Sequence, residues 1–357
     1  MKTIRYGIIG FGGIALNRIA KEGFGLDRAR FEPTPGTELV GATSPSGRLR
    51  REAEALGLRW YESTAALLAD ESIEAVFVAS PNSLHADHAR AALEVGKHCI
   101  VEKPITVDLE SAEALRAIAA ERGLSLTVNH MMVHNGYNIA ARDAIASDQI
   151  GTVGDLVLHM EFLYGATPEE AASWRCSRPE ERGGPIGDVG SHSLYMAEFL
   201  LGEQITALRA VPEPSVLDIA VENGAVISFE TRSGLRGTIR VSFAAPRGGA
   251  LGTILNLGYE AYGSEGVLRS YGTLFQLSGH RDEPFAQRLE LENAAGRVDL
   301  PPAAPGPRNI YRAIIEEHAA SIRDGKPLDG AEAIRNLRLV LAAYESMDAG
   351  GRRISLL

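Results

Sequence analysis

The run Tyr6-Gly7-Ile8-Ile9-Gly10-Phe11-Gly12-Gly13-Ile14-Ala15 decides the fold. An apolar strand passes directly into a glycine-rich turn with the spacing G-x-G-x-x-A, the pattern with which a dinucleotide-binding domain opens. Gly10 makes the tight turn, Gly12 lets the backbone approach a pyrophosphate, and Ala15 lets the next helix sit close to the strand. The anion then rests on the helix N-terminus, so Gly10, Phe11, Gly12, Gly13 and Ile14 are candidate cofactor contacts. The spacing recurs by chance in glycine-rich chains; its place right behind a hydrophobic strand gives it weight.

Working outward, β-rich runs recur at 3–9, 38–43, 75–80, 98–101 and 124–129, separated by stretches with helical spacing. That alternation predicts a parallel sheet wound on both faces, with ligands at the carboxyl ends of its strands. Ser80-Pro81-Asn82-Ser83-Leu84-His85 and Glu102-Lys103-Pro104 follow two of these strands. Proline after Lys103 ends the strand and fixes where the lysine points. NAD-binding domains carry an acid after the second strand, but this chain has Thr43-Ser44-Pro45-Ser46-Gly47-Arg48. Two hydroxyls and a guanidinium suit a 2′-phosphate, so Ser44, Ser46 and Arg48 favour NADP, with NAD as the alternative. The competing view makes Ser46 a helix cap, with Arg48, Arg50 and Arg51 on a solvated face. Residues 21–36 read as an insertion of unassigned role.

From about residue 150 the runs 153–164, 205–211, 225–231, 235–243, 253–262 and 266–269 have hairpin-like spacing, with a turn at Arg232-Ser233-Gly234. A mainly antiparallel sheet is predicted, with an open apolar face suited to a homodimer or homotetramer. Residues 294–307 read as a loop, and 309–324 and 331–346 as helices closing this half. The expected organisation is therefore α/β: a Rossmann domain over 1–128, and an α+β domain for substrate binding and oligomerisation over 129–357.

With 36 basic against 46 acidic side chains the net charge is −10, which argues against nucleic acid. No apolar run reaches about 18 residues and no charged-then-apolar leader opens the chain, so a cytoplasmic protein that does not enter membranes is expected. Cys99 and Cys176 are the two cysteines and form no C-x-x-C, which points to no disulfide framework or zinc site. His85 and His88, three apart, lack further ligands, so no metal is expected.

The second half holds Trp174-Arg175 and Gly183-Gly184-Pro185-Ile186-Gly187-Asp188-Val189-Gly190-Ser191-His192. A helix would place Asp188 and His192, four apart, on one face, where a carboxylate orients an imidazole. The competing view is a helix-start acid and a surface histidine.

Taken in order, the glycine turn, Ser80 to His85, Ala91-Ala92-Leu93-Glu94-Val95-Gly96-Lys97-His98, Glu102-Lys103-Pro104 and the Gly183 to His192 segment resemble the Gfo/Idh/MocA oxidoreductase family. Ala343-Tyr344-Glu345-Ser346, followed by Gly351-Arg352-Arg353, is similar to that family's C-terminal end. The resemblance implies NAD or NADP, a sugar or polyol substrate, Lys103 as active-site lysine, and Asp188 with His192 as the paired acid and base. It further implies that Ser80, Pro81, Asn82, His85 and Glu102 line the cofactor, and that Trp174-Arg175 approach cofactor and substrate. His130, in Asn129-His130-Met131-Met132-Val133-His134-Asn135, stands where relatives carry an arginine-containing segment, and is a candidate substrate contact. The implied chemistry is hydride transfer to or from a secondary alcohol or ketone, with either His192 or Lys103 moving the proton. A redox-neutral glycosidase and a non-catalytic dinucleotide sensor are the alternatives.

Overall fold

The computed structural model describes residues 2–244, 257–275, 286–303 and 309–356. Their contacts divide the chain into two compact units, Met1–Met131 with Asn309–Leu337, and Met132–Arg308 with Arg338–Leu357.

The first unit is built on six parallel strands, β1 (Ile4–Ile9), β2 (Thr37–Thr43), β3 (Arg59–Trp60), β4 (Ala75–Val78), β5 (His98–Val101) and β6 (Leu126–Val128). Their order is β3-β2-β1-β4-β5-β6, a Rossmann sheet whose winding reverses between β1 and β4. Strands covered on both faces read as nearly unbroken apolar runs, as β4 does with all four residues buried. Local signals bound the helices: Asp108 caps Leu109–Arg122 by accepting from Ser111 N at 2.7 Å, and Gly123 closes it at φ 64°.

The long connection after β1 becomes a π-helix, Ala15–Gly23, then folds back on itself. Gly25 has φ 68°, and a Cβ there would overlap Glu32 O. Helix Ile310–Arg323 braces this connection: Asn309 Nδ2 donates to Glu22 O (2.9 Å) and Arg323 to Gly36 O (3.1 Å). Tyr6 Oη and His318 Nδ1 are 2.9 Å apart. That helix therefore belongs to the first unit, whereas the sequence pattern assigns it to the closure of the second half. Amphipathic spacing shows that a helix has an apolar face, but not which sheet receives it.

The second unit holds nine strands in the order β14-β13-β12-β11-β7-β10-β9-β8-β15. They are β7 (Val153–Glu161), β8 (Ile205–Pro212), β9 (Gly224–Thr231), β10 (Arg236–Ser242), β11 (Leu257–Gly263), β12 (Gly266–Tyr271), β13 (Arg288–Asn293), β14 (Gly296–Leu300) and β15 (Ile354–Ser355). Among the described residues, only the β7–β10 pair of this sheet is parallel. The expected turn is present, with Gly234 at φ 89°. Of the strand expected over 253–262, residues 253–256 lie outside the described residues, as do 304–307 of the expected loop.

Two expectations are corrected. The supposed loop contains β14, paired with β13 across Asn293↔Gly296. Nor is the second sheet face apolar. Leu156, Leu158, Ile227, Ile239, Tyr259 and Leu289 lie in the core, while the alternate positions present Asp155, His159, Glu161, Arg240, Arg269 and Glu290. Charges on alternate residues hide β13 and β14 from a hydrophobicity reading. Among the described residues, no helix is long and apolar enough to cross a membrane.

Candidate active site

In the first unit, backbone ladders align the ends of β1, β4, β5 and β6: Ala79 N donates to Ile9 O, Glu102 N to Val78 O and Asn129 N to Val101 O, each at 2.8 Å. Gly10 leaves β1 at φ 92°, and a Cβ there would stand 2.4 Å from Ser80 N, so a side chain is sterically forbidden. Gly10 and Phe11 N–H donate to Thr43 O, and Gly12 N–H to Gly10 O. Those donors are spent inside the turn. The first N–H groups of the helix that starts at Gly13 are the ones a helix start leaves for a ligand. A Cβ on Gly13 would meet nothing within 4 Å, and one on Gly12 only Gly10 O at 3.9 Å. Bare backbone at a helix start fits a dinucleotide diphosphate. Phe11 is buried edge-on to Trp60, 6.4 Å between centroids, and anchors the turn to β3.

Beyond β2, Ser44 Oγ and Ser46 Oγ lie 3.4 Å apart, and Arg48 N donates to Ser46 Oγ at 3.5 Å. Helix Arg50–Ala55 begins behind Leu49 with no side-chain cap, so Ser46 is not its cap. Arg50 is held by Glu54 and Glu62, both at 2.8 Å. Arg48 is exposed and, among the described residues, has no ion pair.

Past β4 and β5, His85 is fully buried with Nδ1 2.7 Å from Pro104 O and Nε2 2.8 Å from Ser80 O. Its ring pins together the loops carrying Ser80 and Lys103. His88 Nδ1 lies 3.0 Å from Ser80 Oγ, so both histidines brace the loop after β4. Asn82 is buried in a single 3₁₀ turn after Pro81. Glu102 accepts from Asn129 Nδ2 at 2.7 Å and from Lys103 N at 3.3 Å, which ties the lysine's backbone to the end of β6. Asn129 escapes a reading of the sequence because a polar residue closing an apolar strand looks like an ordinary strand end. The Lys103–Pro104 peptide is cis. Burial pushes His130 down to about 3, against a hydrogen bond to Asn336 and with the Lys103 ammonium adding to the effect. His130 is therefore a neutral hydrogen-bonding group at physiological pH.

In the second unit, the Arg175 guanidinium lies over the Trp174 ring at 4.6 Å and its Nε is 3.5 Å from Asp188 Oδ1. Gly183 permits this approach, since a Cβ there would be 2.6 Å from Arg175 Cα. Asp188 lies in a π-helical turn, Ile186–Gly190, which runs into helix Ser191–Leu201. Single π turns recur at functional sites. His192 is buried at 1% exposure with Nδ1 2.9 Å from Tyr195 Oη, and that hydroxyl also accepts from Met132 N at 3.3 Å. The expected α-helical spacing of Asp188 and His192 is thus replaced by a π turn followed by an α-helix. Arg175 engages the acid and Tyr195 the imidazole. Tyr195 is absent from the candidates that the sequence offers, although its i+3 spacing from His192 is the signal that finds it.

Residues 4–130 match the family described as an oxidoreductase family with an NAD-binding Rossmann fold, and residues 139–269 match the C-terminal domain of Gfo/Idh/MocA proteins. The chain is 28% identical over 353 residues to 1,5-anhydro-D-fructose reductase from Ensifer adhaerens, covering 97% of each. It is 27% identical to scyllo-inositol 2-dehydrogenase (NAD(+)) from Bacillus subtilis over 88% of each. Among solved structures, aldose-aldose oxidoreductase from Caulobacter crescentus superposes with a TM-score of 0.82 at 22% identity, covering 99% of this chain and 100% of that one. The 3-ketoreductase from Actinomadura kijaniata in complex with NADP and TDP-benzene gives 0.80 at 24% identity over 97% and 98%. Identities this low speak to the fold alone.

Proposed function

The chain belongs to the Gfo/Idh/MocA oxidoreductase family, and on that premise we propose that it is an NADP-preferring dehydrogenase or reductase of a secondary alcohol or ketone on a sugar, polyol or related cyclic substrate. One observation carries the reading: the glycine turn, Ser80 and Lys103 lie side by side at the carboxyl ends of β1, β4 and β5, astride the switch point. The relatives named above act on an anhydro sugar and an inositol, which supports the substrate class.

In this reading 1–128 binds the dinucleotide and 129–357 supplies substrate contacts and self-association. The Gly13 and Ile14 amides take the diphosphate, and Ser44, Ser46 and Arg48 the 2′-phosphate. Trp174 and Arg175 approach the cofactor from the second half of the sequence. A bound nicotinamide supplies or accepts hydride at C4. Lys103 donates to the substrate oxygen and stabilises alkoxide charge there. His192, with Nδ1–H donating to Tyr195 Oη, takes or returns the hydroxyl proton at Nε2, and Asp188 balances the imidazolium. His130, kept neutral, hydrogen-bonds substrate. Self-association uses the nine-stranded sheet through its charged face, where Arg209, Glu230, Arg236 and Arg353 line a cleft of about 450 Å³.

The test follows nucleotide absorbance near about 340 nm, with 1,5-anhydro-D-fructose for reduction by NADPH or NADH, and D-xylose and scyllo-inositol for oxidation. Net turnover, abolished in both Lys103→Met and His192→Ala with nucleotide still bound, is the expected result. Retention of turnover in both variants removes the assignment. Glycoside cleavage with bound nucleotide and no net absorbance change replaces it with a redox-neutral glycosidase, and binding without any turnover with a sensor. Loss of one charge-assisted pair in Arg48→Ala weakens NADPH on the order of tenfold and leaves NADH unchanged; equal effects on both nucleotides would end the NADP preference.

A further inference from the structure

The helix that carries Asp188 and His192 starts without a local cap. Its lead-in, Gly183-Gly184-Pro185, offers no side-chain acceptor, and the N-cap residue Pro185 makes no side-chain cap bond. Helix starts leave N–H groups that need partners, and those of Ile186 and Gly187 are buried. Both are satisfied from far along the chain. Ile186 N donates to Glu222 Oε1 at 2.9 Å, and Gly187 N to Tyr344 Oη at 3.1 Å. Tyr344 Oη in turn donates to the same Glu222 oxygen at 3.2 Å, so one carboxylate and one phenol close the helix start together. A carboxylate there also opposes the positive end of the helix dipole.

The surrounding backbone is shaped to this pair. A Cβ on Gly184 would fall 2.5 Å from the Glu222 carboxylate, and one on Gly187 would overlap Arg182 O and stand 3.0 Å from the Tyr344 hydroxyl. Arg182 adopts φ 50°, a left-handed conformation that a non-glycine residue keeps only when its surroundings impose it, and its guanidinium lies over the Tyr344 ring at 5.1 Å. Directly behind the two capped residues comes Asp188, its N–H donating to Gly184 O at 2.7 Å.

We propose that Glu222 and Tyr344 are positioning residues, a tertiary cap that holds the Ile186–Gly190 π turn in register and so sets where Asp188 and His192 present their side chains. This rests on the reading that those two side chains serve proton transfer. It gives Tyr344, in the otherwise unexplained C-terminal Ala343-Tyr344-Glu345-Ser346 run, a part in the chemistry without touching substrate or cofactor.

The test compares Tyr344→Phe, Glu222→Ala and Glu222→Gln in the full-length enzyme, with Asp188→Asn as reference. Two readouts are taken: amide exchange of the 183–190 backbone by mass spectrometry, and the kcat, KM and pH profile of NADPH-dependent reduction of 1,5-anhydro-D-fructose. Tyr344→Phe and Glu222→Ala are expected to speed exchange there, on the order of tenfold. They should lower kcat by about ten- to a hundredfold, as for a misplaced catalytic group, with NADPH affinity unchanged and the pH profile displaced toward that of Asp188→Asn. Glu222→Gln keeps an oxygen acceptor and is expected to rescue both readouts. Unchanged exchange in Tyr344→Phe and Glu222→Ala overturns the cap. Faster exchange with unaltered kcat and pH profile overturns the positioning role. Should the wild-type enzyme turn over none of the probe substrates, the proposed function fails, and the exchange data still judge the cap.

Discussion

The two sheets place polar chemistry in opposite ways. The six parallel strands of the first unit confine their charges, Arg5, Glu38 and Arg59, to the amino ends of β1, β2 and β3 and gather their special residues at the carboxyl ends, where Gly10, Ser80, Glu102 and Asn129 follow β1, β4, β5 and β6. Two histidines buried in this unit are held neutral: burial pushes His318 down to about 3, as it does His130. The nine-stranded sheet instead carries charge across one face. Glu290 is wholly buried yet reached by Arg269 at 3.2 Å, by Arg288 at 3.5 Å and by Arg297. Glu161, 1% exposed, lies 3.2 Å from His159 and 3.6 Å from Arg240. Parallel strands buried on both faces have only their ends free for function, whereas a mainly antiparallel sheet can give a whole face to ionic contacts.

The largest effect that would break this contrast lies at a strand end. Gly10→Ala, facing both a positive φ and the Ser80 backbone, is expected to cost about 4–5 kcal/mol or more, read as a lowered urea midpoint. Gly13→Ala, with open space at its Cβ, should stay within about 1 kcal/mol of wild type while weakening NADPH at least about tenfold, or roughly 1.4 kcal/mol. Equal destabilisation by the two would mean that the turn is not divided into a structural and a ligand-facing half.

On the charged face, Glu290→Ala leaves three arginines around an apolar stub and is expected to cost about 3–5 kcal/mol. Replacing the whole group by apolar residues should restore much of the loss, and failure of that rescue would show that the ion pairs stabilise beyond their mutual compensation.

The smallest effect is a pH signature of opposite sign in the two units. His130 and His318 titrate near 3 when folded and near about 6.5 when unfolded. Their contribution is present above about 6.5 and is lost as pH falls toward 3. For His159, burial alone would lower the pKa, but hydrogen bonds and charge from Glu161 and Glu260 outweigh it and raise it. Its contribution is complete below about 6.5 and is lost as pH climbs through the raised value. His318→Gln should flatten the acid side of the stability curve and His159→Gln the neutral-to-alkaline side; a single shared shift would contradict the contrast.

Part of this architecture is legible in the order of residues. The alternation of apolar runs and helical stretches marks β1, β2, β4, β5 and β6, because strands covered on both faces leave a continuous hydrophobic signature. The two-residue β3 leaves too short a trace. β13 and β14 are obscured by Glu290, Glu292, Arg297 and Asp299, whose charges face a surface that hydropathy assumes to be apolar. In the site, the Gly10 turn and Lys103 announce themselves through glycine and proline punctuation. Tyr195, Asn129, Glu222 and Tyr344 do not, since each is an ordinary residue until its partner is known.

The sequence by itself determined the α/β alternation, the glycine-rich turn after β1 and the proline that ends the strand at Lys103, because local spacing and backbone restriction act within a few residues. Only the tertiary structure decided that Ile310–Arg323 returns to brace the first unit, that His85 spends both nitrogens on carbonyls, and that Glu222 and Tyr344 close the helix start behind Asp188. Those contacts join residues from 5 to 287 positions apart. A buried donor takes whichever acceptor the packing brings to it, which no local pattern encodes.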